Sequence, residues 1–148
     1  MHLIETLRHG GIRDEKVLEA MSKVPRHLFL EKAFEEWAYK NVAFPIGNEQ
    51  TISQPQTVAI QTSLLEVKKG DKILEVGTGS GYQACVLSLL GAKVYTIERQ
   101  RALYESYSGN WVSARYAPFW EMDMKDSKCL LLSIKFSSLP VPQHFLKT

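Results

Sequence analysis

Cysteine is scarce in this chain, and no strong signal places it anywhere but in solution. There are two cysteines, Cys85 and Cys129, with no metal-ligand spacing between or around them, so no metal site is expected. No apolar stretch approaches the roughly 18 residues that a membrane-spanning helix needs. The opening MHLIETLRHGG interrupts its apolar run with Glu5 and Arg8, unlike a signal peptide, and a cytoplasmic location is expected. An excess of one charge is also missing. Eighteen Lys and Arg stand against 16 Asp and Glu, and a net charge of +2 makes no case for nucleic acid or a membrane surface as partner. There is no internal repeat and no low-complexity segment.

What is present suits a soluble globular domain. The 148 residues, 45% hydrophobic and 23% charged, are enough for one domain with a real core. Residues 2–9 read as a helix with Leu3, Ile4 and Leu7 on one face, ended by Gly10 and Gly11. Asp14 is a good N-cap for a second helix that spaces Val17, Leu18 and Met21 three and four apart. Pro25 stops it and begins another segment, residues 26–37. His27 near that start reads as structural. Trp37 and Tyr39 are expected to pack on the domain, with a peptide groove as the other reading.

Periodicity then vanishes over residues 40–54. Pro45, Gly47 and Asn48 predict a loop, and Gln50, Thr51, Ile52 and Ser53 follow, bringing amides and hydroxyls together. Pro55 suits the first turn of a third helix, running to about residue 67, with Ser53 or Gln54 near its cap. A cap would explain Ser53, but this polar stretch is also placed to close over a ligand.

The centre of the chain is residues 72–98. Ile73, Leu74 and Val76 form the apolar run of a buried parallel strand. Gly77-Thr78-Gly79-Ser80-Gly81 follows at once, where a tight turn and close backbone approach to a ligand leave little room for side chains. Residues 82–90 have helical spacing, with Cys85 as a core thiol and Gly91 as C-cap. Val94, Tyr95 and Ile97 make a second strand ending at Glu98, about 20 residues past the glycines, where a carboxylate can accept both hydroxyls of an unphosphorylated ribose. This is half of a nucleotide-binding βαβ unit. A dinucleotide site asks for a third glycine where Tyr82 stands, which disfavours an NAD-linked oxidoreductase. The Gly-Lys-Ser/Thr of a phosphate-cradling loop is absent. What stands is E-x-G-x-G-x-G, with Glu75 two residues before the first glycine, a carboxylate better matched to a cationic ligand than to a pyrophosphate. This pattern resembles the first motif of class I S-adenosylmethionine-dependent methyltransferases.

Three stretches extend the resemblance: LIETLRHGGIRDEKVLEAMSKVPRHLF, FPIGNEQTISQPQTVAIQTSLL, and ILEVGTGSGYQACVLSLLG with VYTIE. In that order, over residues 2–105, they resemble the protein-L-isoaspartate O-methyltransferase family. The resemblance implies an α/β, Rossmann-like class I methyltransferase fold with an N-terminal helical segment. It implies S-adenosyl-L-methionine as cofactor and methyl transfer to the free carboxyl of L-isoaspartyl residues in damaged proteins or peptides, the first step of their repair. It maps the active-site serine onto Ser53 and the cofactor-approaching loop onto Gln50, Thr51 and Ile52. The turn that holds the cofactor maps onto Glu75, Gly77, Thr78, Gly79, Ser80 and Gly81, and the ribose carboxylate onto Glu98.

After Glu105 the motifs stop. The family continues with a helix, a third strand and a Gly-Asp-Gly at the adenine, none of which is legible in residues 106–148. Writing Trp120-Glu121-Met122-Asp123-Met124-Lys125-Asp126 as codons and reading from the third base spells Gly-Asp-Gly-Tyr-Glu-Gly, so a frameshift near Glu105 or Ser106 is expected. Three parts follow: residues 1–54 as helical segment and active-site loop, 55–105 as the first half of the cofactor domain, and 106–148 as a tail. The expected consequence is an incomplete sheet with an open edge and exposed apolar surface. Residues 130–136 are apolar enough to pair by accident, or the tail stays unstructured. Such a chain is expected to fold poorly and to transfer methyl groups weakly or not at all, leaving a non-catalytic S-adenosylmethionine-binding remnant as the second reading.

Overall fold

A computed structural model of the chain describes residues 2–108 and 120–123. The first helix, α1 (His2–His9), buries Leu3 and Leu7. The second, α2 (Glu15–Lys23), starts as its sequence predicts: the Asp14 carboxylate accepts the Lys16 and Val17 amides at 3.0 and 3.2 Å, and Val17, Leu18, Ala20 and Met21 turn inward. Past Pro25 the chain makes two short 3-10 segments, Arg26–Phe29 and Lys32–Trp37. Trp37 and Tyr39 pack less than expected, remaining 50% and 45% exposed.

The stretch read as a loop is a hairpin. Strands β1 (Phe44–Gly47) and β2 (Gln50–Ile52) pair antiparallel, with Phe44 opposite Ile52. Asn48 and Glu49 join them, both at positive φ (49° and 58°), the left-handed pair of a type I′ turn. Each strand is too short to show an alternating pattern, and Pro45 blurs what remains. Phe44, Ile46 and Ile52 all point into the core.

Helix α3 (Pro55–Leu64) has Pro55 in its first turn and ends sooner than its apolar residues suggest. Glu66 adopts φ 47°, which breaks the helix, and Ile60, Leu64 and Leu65 stay exposed. Its cap comes from elsewhere in the chain. Asn41 Oδ1 accepts the Gln56 amide at 2.9 Å while its Nδ2 donates to Gln56 Oε1 at 2.9 Å. Gln54 Nε2 donates back to the Asn41 carbonyl at 2.9 Å.

The βαβ unit forms where the glycines predict it. Strand β3 (Lys72–Val76), helix α4 (Tyr82–Leu89) and strand β4 (Lys93–Ile97) follow in turn, and β3 and β4 pair in parallel from Lys72–Lys93 to Val76–Ile97. Helix α4 is apolar all round because both of its sides are covered. Ala84 and Leu87 pack toward Ala92, Val94 and Ile73, while Tyr82, Cys85 and Val86 join the core made with α1, α2, the hairpin and α3. Strand β3, by contrast, is not the buried strand its sequence suggests. Leu74 is 39% and Val76 69% exposed, and among the described residues β3 pairs on one edge only, with β4. Among the described residues the expected open edge is that of β3, and Leu74 and Val76 leave apolar surface exposed.

Helix α5 (Arg101–Ser108) follows β4 and runs on past Glu105. Strand β5 (Trp120–Asp123) then pairs parallel to β4, Val94 with Trp120 through Ile97 with Asp123, giving the order β3-β4-β5. This third strand is not legible in the sequence. Backbone pairing needs only an open neighbour with unmet amides and carbonyls, which β4 supplies. Residues 130–136 lie outside the described residues.

Helix α4 closes in a Schellman motif: the Gly91 amide reaches the Ser88 carbonyl at 2.9 Å and the Ala92 amide reaches Leu87 at 3.3 Å. Gly91 has φ 93°, and a Cβ there would sit 3.2 Å from the Lys69 Cα. Gly91→Ala is expected to lower folding stability by about 1–2 kcal/mol, the cost of a left-handed alanine, with the added crowding at Lys69 making it no smaller. Urea denaturation of the two proteins measures this, and an unchanged midpoint would contradict it.

Candidate functional site

The glycine turn is held in place from strand β4. The amides of Gly77 and Thr78 both reach the Ile97 carbonyl, at 2.8 and 3.2 Å, and the Gly81 amide reaches Thr78 at 2.9 Å. Gly77, Gly79 and Gly81 all have positive φ (93°, 55° and 82°), so the turn winds through a backbone region that side chains disfavour. One residue later Gly81 delivers the chain into the first turn of α4.

Glu98, 5% exposed, is the hub of the turn. Its Oε2 accepts the Gly79 amide at 2.9 Å and its Oε1 accepts the Gln100 amide at 2.8 Å. Both are charge-assisted bonds from backbone donors, and they fix the carboxylate beside the glycines. Glu75, on β3, belongs to a second chain of bonds. Thr96 Oγ1 donates to Glu75 Oε2 at 2.6 Å, and the Thr78 and Thr96 hydroxyls meet at 2.7 Å. Burial pushes the Glu75 carboxyl up to about 7; the Thr96 bond opposes that rise and the Glu98 charge adds to it. Two carboxylates therefore flank one glycine turn, one fixed by amides and the other poised to gain or lose a proton near neutrality. Thr78 turns its hydroxyl inward to Thr96, and Ser80 is 7% exposed.

The hairpin lies against this turn. A Cβ on Gly79 would touch Ile46 Cδ1 at 3.5 Å, and Gln100 Nε2 donates to the Asn48 carbonyl at 3.3 Å. Gln50, Thr51 and Ser53 are exposed, whereas the Ile52 side chain is 3% exposed in the core, leaving only its backbone for any ligand. Ser53 is not the cap of α3. Gln54 holds that position, Asn41 supplies the cap, and among the described residues the Ser53 hydroxyl has no hydrogen-bond partner. The Ser53 carbonyl is engaged: it accepts Arg26 Nη2 at 2.8 Å.

Other singled-out residues fall into structural places. His27 Nδ1 bonds the Tyr39 hydroxyl at 2.7 Å. Tyr39 does line a groove of about 340 Å³ with Leu3, Ile4, Arg8 and Met21, and Trp37 does not. Cys85 is a buried thiol that desolvation pushes up to about 12. No cluster of three metal-ligating side chains occurs among the described residues. Tyr82, standing where a dinucleotide site has glycine, packs its ring edge-on against Phe29 at 5.4 Å between centroids. Sequence reasoning missed Arg26, Asn41, Thr96 and Gln100. Only Thr96 left a trace, as a polar residue in step with Val94 on the inward side of its strand.

Comparison with known proteins agrees with this geometry. The family model described as Protein-L-isoaspartate(D-aspartate) O-methyltransferase (PCMT) matches residues 1–117, beyond the point where the motifs fade. A protein-L-isoaspartate O-methyltransferase of Christiangramia forsetii is 59% identical over 116 residues, 78% of this chain and 54% of that protein. The chain spans about half the length of the first curated relatives it matches. A solved protein-L-isoaspartate O-methyltransferase superposes with a TM-score of 0.72 at 26% identity, covering 84% of this chain and 41% of the other. The Plasmodium falciparum structure of a beta-aspartate methyltransferase (PCMT) in complex with S-adenosyl-L-homocysteine gives 0.68 at 23% identity, over 85% of this chain and 62% of that one. The two superpositions establish a Rossmann-like α/β fold. With 117 of its 148 residues under the family model, the chain belongs to the protein-L-isoaspartate O-methyltransferase family.

Proposed function

We propose that this chain binds S-adenosyl-L-methionine across the glycine turn and uses it to methylate the free carboxyl of L-isoaspartyl residues in damaged proteins, at a rate below that of its longer relatives. The observation that carries this reading is the hairpin seated against the turn: Ile46 lies at Gly79 and Asn48 at Gln100, on the same hairpin that carries the exposed Gln50 and Thr51 and leads into Ser53. The donor set suits this cofactor. Glu98 retains acceptor lone pairs beyond its two amide bonds for a ribose diol, and Glu75 offers a carboxylate to a cation. Gly77, Thr78, Gly79, Ser80 and Gly81 supply backbone rather than bulk at the closest approach.

When bound, S-adenosylmethionine supplies a methyl group already activated on a sulfonium. The acceptor carboxyl is ionised at pH 7 without help, so the protein needs no strong base. The work left to the chain is alignment and exclusion of water. Ser53 orients the acceptor by donating a hydrogen bond through its free hydroxyl, and Gln50 and Thr51 cover the approach. The partners are proteins and peptides bearing L-isoaspartyl residues, and the chemistry suits a cytoplasmic setting. A second reading, a chain that holds the cofactor without turnover, is favoured by β3, which among the described residues pairs on one edge only and leaves Leu74 and Val76 exposed. Incubating the chain with methyl-labelled cofactor and an isoaspartyl peptide tests both. Label in the peptide supports the proposal, cofactor binding without label leaves the second reading, and neither would remove both.

Ser53→Ala is expected to lower kcat by about tenfold to a thousandfold, the range of one lost positioning contact or transition-state donor, with the dissociation constant of the cofactor nearly unchanged. Steady-state kinetics with calorimetric binding measures the pair, and unaltered turnover would remove the role assigned to Ser53.

Glu75 makes binding depend on pH. A cation favours the ionised carboxylate, which predominates only above the raised value of about 7. Cofactor affinity is therefore expected to rise about tenfold from about pH 6 to about pH 8, and Glu75→Gln to flatten that profile. The sign for stability is the opposite. With its folded value raised from 4.5 to about 7, Glu75 holds a proton that the unfolded chain has already released. Its contribution is full below about 4.5 and is lost as pH rises through 7. Binding titrations and urea midpoints across this window check the two slopes, and a wild-type affinity that does not vary with pH would contradict the first.

A further inference from the structure

Arg26 carries a positive charge with no exposure to solvent at all. Among the described residues no carboxylate pairs with it. Its compensation comes from three other places. Nε donates to the Ala38 carbonyl at 3.0 Å, Nη2 donates to the Ser53 carbonyl at 2.8 Å, and the guanidinium carbon lies 4.7 Å from the centre of the Tyr82 ring. Burial lowers the Arg26 pKa from its ordinary value, and the same cation pulls the Tyr82 phenol down against a burial that pushes it up to about 12. Burying a cation is costly unless its donors are met; Nη1 has no partner among the described residues, so the compensation falls on the Nε and Nη2 bonds and the ring contact, which constrain the three segments they join.

Those segments are telling. Ala38 closes the second 3-10 segment, Ser53 precedes α3, and Tyr82 is the first residue of α4, immediately after the glycine turn. A planar guanidinium with a fixed fork bonds two carbonyls in set directions while its face lies on an aromatic ring, which an ammonium cannot do. Arg26 thus spans the gap between the backbone of Ser53 and the start of the helix behind Gly81. It does so through the Ser53 carbonyl, and among the described residues the hydroxyl has no partner.

We infer that Arg26 is a positioning residue: it fixes the Ser53 backbone relative to the glycine turn, so that the Ser53 hydroxyl is held ready without being consumed by a structural bond. This rests on the proposed role of Ser53 in methyl transfer, but its physical content, a local tether on residues 52–56, stands apart from turnover. Pure fold stabilisation is the rival account.

Arg26→Lys separates the two, because it keeps the charge and loses the fork. Arg26→Met is the harsher variant and need not fold for the test to succeed. Hydrogen exchange on the full chain, free and with S-adenosyl-L-homocysteine, is the first readout. Arg26→Lys is expected to speed exchange of the Ile52, Ser53, Gln54 and Gln56 amides at least tenfold while leaving β4 and the centre of α4 unchanged, and Ser53→Ala, which keeps the carbonyl, is expected to leave those amides as they are. Exchange that rises equally everywhere, or does not change, would overturn the inference in favour of stabilisation or no role. The second readout is kinetic: kcat falls about tenfold with the KM for the cofactor unchanged, and the loss disappears in a Ser53→Ala background. A loss that persists there also overturns it. If the wild-type chain transfers no methyl group, the proposed function fails by that result alone, and the exchange pattern still decides the tether.

Discussion

The Glu98 carboxylate holds the site together. It stands at the end of β4 and accepts the amides of Gly79 and Gln100, so one side chain ties the strand end to the glycine turn and orders the segment that follows. Gln100, positioned this way, reaches the Asn48 carbonyl in the hairpin turn. Removing the carboxylate would leave the part-buried amides of Gly79 and Gln100 without this partner. A neutral amide isostere could accept only one of these two backbone donors, because only the carboxylate presents two acceptor oxygens.

A second constraint acts from the N-terminal side. Helices α1 and α2, the hairpin and α3 share one core with α4, so the helical segment is a structural wall of the site rather than an appendage. Arg26 makes that wall specific. Its two carbonyl bonds and its contact with Tyr82 set how far the Ser53 backbone lies from the start of α4. Glu98 and Arg26 thus hold the hairpin from opposite ends, one through its turn and one through the residue that leaves it.

The sheet is the weaker part. Strands β3, β4 and β5 pair in order, but β3 leaves Leu74 and Val76 exposed, and α3 leaves Leu64 78% exposed. In a chain that spans about half the length of its first curated relatives, such surface invites self-association. The site itself turns inward, with Glu98 5% exposed. Its key bonds lie within the stretch that the family model matches.

Much of this was written locally and was legible as such. The Asp14 cap, the Gly91 stop, the glycine turn and both strands of the βαβ unit follow from near neighbours, because helix ends, left-handed turns and strand periodicity depend on residues a few positions apart. Glu75, Glu98 and Ser53 were singled out by spacing and resemblance; Glu98 bonds the glycine turn, and the hairpin that leads to Ser53 lies against that turn through Ile46. The hairpin was not legible, since four- and three-residue strands are too short for a period to emerge. Nor was Arg26, whose bond to Ser53 spans 27 residues, nor the Gln100 contact, which spans 52. A buried arginine after a proline and an exposed one read alike in the sequence. Only the packed chain decides which carbonyls a guanidinium finds, because that depends on where distant segments come to rest.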